Sequence, residues 1–194
     1  MKKLLLIFIL TLSFQSWTKA DDIRDFEVEG MSIGDSLLDF YSKKEINKKI
    51  KSKSTYWYPN NTYVSILIQS DDFKLYEELG AVFNPKDDKF ILQSIEGTFN
   101  YASKINECYK KQNTITADLK KTFANTTEFI TYTRKYSADK TGKSVSKYNR
   151  FTFFNDSAIT VVCYDMDKDF IDPNDQLYLA ISSKKFMKWI DQNN

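Results

Sequence analysis

Histidine is absent from these 194 residues, and cysteine, glycine and proline are scarce at two, five and three. Without histidine, the usual general base and the commonest transition-metal ligand are both missing. A zinc site would have to be built mostly from carboxylates, which removes zinc from consideration. With so little proline and glycine there is no linker-like stretch, so residues 21–194 read as a single domain large enough for a real core. No segment after the N-terminus is apolar enough to cross a membrane.

Residues 1–20 read as a signal peptide. Lys2 and Lys3 precede the mostly apolar run LLLIFILTL, and a polar stretch ends in Thr18-Lys19-Ala20, with small residues at the two positions that signal peptidase reads. The expected location is therefore periplasmic or secreted. Without Lys2, Lys3 and Lys19 the formal net charge of +2 becomes −1, so the apparent basicity belongs to the leader. Such a balance does not fit a nucleic-acid binder. No cysteine follows the apolar run, so no lipid anchor is expected there.

Cys108 and Cys163 are the only cysteines, and an even count in an exported chain favours one disulfide. Ile105, Cys108, Ile115, Leu119 and Phe123 fall on one helical stripe, while Ile159, Val161 and Cys163 alternate onto one strand face. Each cysteine thus points inward from its own element.

The order of signals predicts an α+β fold with antiparallel sheets, an N-terminal helix, one long central helix and a short C-terminal helix. Ser32 with Asp35, and Ser42 with Glu45, both look like helix starts. A stripe of Ile33, Leu37, Leu38 and Tyr41 follows the first, and Ile46 and Ile50 follow the second. Strands are expected over 56–68 with a turn at 59–61, around 73–76 and 81–83, and along 89–102, where a change of phase near Ser94 suggests a bulge close to Gly97. The central helix is expected from about Ala102 to Ala124. Short strands then lead to a closing helix capped by Ser183. Two units of helix plus strands suggest duplication, but the halves share no motif.

Four candidate sites follow from motifs. EGMSIGDSLLDFY, residues 29–41, contains the G-D-S-L of a family of esterases and lipases whose serine is the nucleophile. That chemistry needs a histidine, and here Ser36 reads as a helix-start residue instead. Asp165, Asp167 and Asp169 match the first three ligand positions of a helix-loop-helix calcium loop, but Phe170 stands where the glycine belongs and Gln176 where the closing glutamate belongs. A looser calcium site using Asp172 or Asp175 competes with an acidic solvated loop, and the pattern favours the loop. Tyr56, Trp57 and Tyr58 form an aromatic run of the kind that serves as a ligand platform; the abundance of Phe and Tyr elsewhere favours ordinary sheet packing. Residues 43–53 carry six Lys against one Glu, which suits an anionic surface, although Ile46 and Ile50 favour a solvated helix face.

DFEVEGMSIGDSLLDFYSKKEI, INECYKK and LYLAISSKKFMKWI resemble an uncharacterised exported protein family of marine bacteria with A/T-rich genomes. The resemblance implies export and a shared fold, and no activity. Gly30-Met31-Ser32 is similar to a short motif of the small lipoproteins of the outer-membrane assembly machine, which implies an envelope interaction module. Together these readings give a non-enzymatic binding domain whose partner is an unknown protein or small molecule of the cell envelope. The alternative is a carboxylate-dependent, glycosidase-like hydrolase.

Overall fold

Ser42 opens the first helix as its sequence signal predicts. Its Oγ accepts from the Glu45 N–H at 3.3 Å, while the Glu45 carboxylate accepts from the Ser42 N–H at 2.8 Å. Two donors that the helix leaves orphaned are thereby satisfied. The structure, a computed structural model, describes residues 23–193 apart from 72, 74–75, 77–78, 126 and 171–172. The leader at 1–20 and the centre of the strand expected at 73–76 lie outside the described residues, as does Asp172.

Helix α1 is Lys43–Ile50, and its Ile46 is wholly buried. The earlier start signal behaves differently. The Ser32 N–H does donate to Asp35 Oδ2 at 2.8 Å, but only a 3-10 turn, Leu37–Asp39, follows. Gly34 N donates to Leu92 O, Leu92 N to Asp35 O and Leu37 N to Phe90 O. Backbone groups that a helix would pair internally are thus taken by residues 90–92, and tertiary pairing overrides the apolar stripe.

Eight strands follow: β1 (Tyr56–Trp57), β2 (Val64–Ile68), β3 (Leu79–Phe83), β4 (Ser94–Ala102), β5 (Thr127–Lys135), β6 (Val145–Phe153), β7 (Ala158–Asp165) and β8 (Asp175–Ser182). They form one antiparallel sheet in the order β1-β2-β3-β4-β8-β7-β6-β5. Helix α2 (Ile105–Thr122) joins the halves, and α3 (Lys184–Asn193) closes the chain. Each half is a helix followed by a four-stranded meander, and the last strands of the two halves, β4 and β8, meet at the centre. The phase change near Ser94 marks the start of β4. The pairing irregularity falls between Asn100 and Ala102, not near Gly97.

Strand alternation gives the sheet two different faces. On the first, Ile66, Phe83, Ile95, Phe151, Ile159 and Ile181 are buried beneath α1, α2 and the N-terminal segment. Each such side chain contributes roughly 1.5–3 kcal/mol by leaving water. Cys108 on α2 and Cys163 on β7 are joined, with sulfurs 1.97 Å apart and Cα atoms 6.0 Å apart. The helical stripe is not wholly apolar. Gln112 is buried and donates to Lys147 O at 2.8 Å and Val161 O at 3.0 Å, and Asn149 Nδ2 donates to Thr116 Oγ1 at 2.8 Å. These bonds fix α2 against β6 and β7. No helix among the described residues is long and apolar enough to cross a membrane.

Candidate functional site

The second face of the sheet carries tyrosine where a solvated face would carry charge. Tyr132 on β5 lies directly opposite Tyr148 on β6, with rings stacked 4.7 Å apart. Tyr164 on β7 and Tyr178 on β8 continue the group, their rings 6.2 Å apart and edge to face. Tyr164 and Tyr148 are near neighbours, and burial pushes the pKa of both hydroxyls up. Helix α3 covers one margin of this face. Its Phe186 and Trp189 pack edge-on against Tyr58 and Tyr63, with ring centres 5.0–5.7 Å apart.

Between α3 and the tyrosines lies a cavity of about 240 Å³. Strand register explains its shape. Arg150, Thr160, Ala180 and Glu96 form one row across β6, β7, β8 and β4, each paired with the next. The two central side chains are small, so the floor is low between two charged ends. Met187, Ile190 and Asp191 of α3 make one wall, and Tyr148, Tyr164 and Tyr178 make the other.

Glu96 is half-buried at one end. Tyr58 donates to its Oε1 at 3.1 Å and Ser65 Oγ donates to Oε2 at 3.3 Å, and the Tyr178 hydroxyl is a near neighbour. Burial among these rings raises the Glu96 pKa above the ordinary carboxylate value, and the nearby Tyr178, Tyr58 and Ser65 hydroxyls offset part of that rise. Burial, and then the Glu96 charge, push the Tyr58 and Tyr178 hydroxyls up, so both stay protonated. Gly80 pairs with Glu96 on β3, and a Cβ there would lie 3.0 Å from both Glu96 Oε2 and Ser65 Oγ. The missing side chain makes room for the carboxylate.

At the other end, Arg150 Nη1 stands 3.7 Å from Asp191 Oδ1. Its Nε is buried and has no hydrogen-bond partner among the described residues. Arg134 lies beyond it, 5.0 Å over the Tyr132 ring.

The sequence motifs are placed as follows. Tyr58 joins the site, whereas Tyr56 and Trp57 are 60% and 42% exposed on β1 and point to opposite faces. Tyr56 meets Tyr58 edge-on at 4.8 Å, so the three rings do not make a flat platform. Asp165, Asp167 and Asp169 diverge. Asp165 receives a 3.5 Å contact from the Tyr109 hydroxyl, and its pKa is raised by burial and by the neighbouring Asp175. Asp167 and Asp169 share Lys143 at 3.7 and 3.5 Å. Among the described residues no group of three or more acidic or cysteine side chains is arranged to hold a metal ion. Ser36 Oγ donates to Lys89 O at 2.7 Å and accepts from Leu38 N, which is a capping role. On α1, Lys43 pairs with Asp88 at 2.9 Å, and Lys49 donates to Leu67 O at 3.1 Å.

Motif reading misses Glu96, Arg150 and the tyrosine group. Their signal is tyrosine at the polar phase of β5, β6, β7 and β8, with a lone glutamate in the middle of β4. No known protein family, curated protein or solved structure matches this chain.

Proposed function

We propose that this chain is an exported, non-enzymatic binding domain that takes its ligand in the cavity on the tyrosine face of the sheet. The observation that carries the reading is Glu96, held by the Tyr58 and Ser65 hydroxyls at the end of an open cavity with one wall of tyrosine rings. Convergent polar groups in an otherwise aromatic recess are the usual make-up of a ligand site. The Cys108–Cys163 bridge agrees with an oxidising compartment, and the leader-like residues 1–20 agree with export. Native mass spectrometry of protein purified from a bacterial periplasm tests this. Extra mass lost on denaturation is expected, and a bare chain that also keeps no added mass from periplasmic extract would overturn it.

A second reading rests on the raised Glu96 pKa, which suits a general acid, with Asp191 as a further carboxylate lining the cavity. Hydrolysis of any member of a glycoside panel, abolished in Glu96→Gln, would favour this hydrolase over the binding domain.

A further inference from the structure

The two ends of the cavity carry opposite charge, and each has one unused capacity. A carboxylate offers about four acceptor positions, and two hydroxyls donate to Glu96, which leaves about two. Arg150 holds Asp191 only at 3.7 Å, and its Nε donor has no hydrogen-bond partner among the described residues. A buried donor left in this state is destabilising, and an acceptor brought to it relieves that cost. The tyrosine rings beside Glu96 present electron-rich faces, which attract an ammonium group.

Resting on the binding reading above, we infer that the cavity takes a small zwitterion, its ammonium group against Glu96 and its anionic group against Arg150. Strand spacing favours an extended ligand. Three steps of about 4.8 Å separate the Arg150 and Glu96 backbones by about 14 Å, so one molecule meeting both side chains is a chain with its charges at opposite ends. The low floor at Thr160 and Ala180 passes a straight chain between the two ends. The cavity of about 240 Å³ has room for a molecule of amino-acid size. Arg134, already stacked on Tyr132, adds positive charge at the same end as Arg150.

Isothermal titration calorimetry on the disulfide-intact protein tests the inference with 6-aminohexanoate, a straight-chain zwitterion with its charges at opposite ends. Hexylamine and hexanoate each carry one of its charges. We expect the zwitterion to bind and the singly charged probes to bind at least about tenfold more weakly. Glu96→Gln and Arg150→Gln should each weaken the zwitterion by about tenfold or more. Thermal melts establish that both variants fold, and Arg150→Lys, which keeps charge but loses the planar donor, substitutes if Arg150→Gln does not. Hexylamine binding as tightly as 6-aminohexanoate would overturn the inference and leave a cation site. Binding that survives both substitutions would overturn it as well. Failure of all three probes would overturn the zwitterion assignment, while a ligand found by native mass spectrometry would keep the binding reading standing.

Discussion

Arg150 and Glu96 stand in one cross-strand row, three strands apart, with only Thr160 and Ala180 between them. Opposite charges on one sheet face are common, but a row that lowers its floor between them is not needed for stability. Bulky residues at the two central positions would bury more apolar surface against Met187 and Ile190. The small residues instead keep the recess open beneath α3, and Gly80 does the same beside the Glu96 carboxylate.

Glu96 makes a pH-dependent contribution whose sign follows from its raised pKa. Above the ordinary value of 4.5 the folded chain retains a proton that the unfolded chain has lost. Stability therefore falls as pH rises from about 4.5 through the raised value, then levels off. Glu96→Gln carries no such proton. The melting temperature of the variant minus that of the parent should increase with pH over that window. A difference independent of pH would show that Glu96 titrates normally.

Cys108–Cys163 closes a loop of 55 residues between α2 and β7. Constraining the unfolded chain in this way stabilises the fold by about 4 kcal/mol in the chain-entropy model. The double substitution Cys108→Ser, Cys163→Ser should lower the unfolding free energy by about that amount in urea titrations. Reductant should do the same to the parent and leave the variant unchanged. Rapid alkylation of either thiol in the native, unreduced protein would contradict the bridge.

Local signals were legible where no distant partner competes. The Ser42–Glu45 capping box and the inward placement of Cys108 and Cys163 could be read directly, because each depends on near neighbours and on one periodicity. The stripe after Ser32 misleads because residues 90–92 take its backbone groups, which no window around Ser32 reveals. Gln112 hides in the α2 stripe because a polar letter does not announce a carbonyl acceptor on a strand far along the chain. The site was illegible for a similar reason. Tyr148, Tyr164 and Tyr178 meet only once the register of β6, β7 and β8 is known, and Glu96 joins them only through the pairing of β4 with β8.

Asp139 organises the loop between β5 and β6. Its carboxylate accepts from Thr141 N and Oγ1 and from Ser144 N at 2.7–2.8 Å, and these donors hold its pKa well below the usual carboxylate range. A depressed pKa gives stability that is present above the unfolded value near 3.8 and lost as pH falls through the folded one. Asp139→Asn should therefore melt lower than the parent at neutral pH. The two melting curves should converge as the solution is acidified. A constant gap would assign the loss to packing instead of charge.

Gly97 provides a test of packing on the core face. A Cβ placed there would collide with the Tyr76 ring, which also packs 4.8 Å from the Phe99 ring. Gly97→Ala should cost roughly 1–3 kcal/mol, because the strand cannot retreat from its two paired neighbours. Tyr76→Ala alone should also destabilise by removing ring contact. In the double variant the collision is gone, and alanine suits a strand interior better than glycine. The two costs should then fall short of additivity by about 1 kcal/mol or more in a double-mutant cycle measured by urea denaturation. Additive costs would mean that the Tyr76 ring does not lie over Gly97.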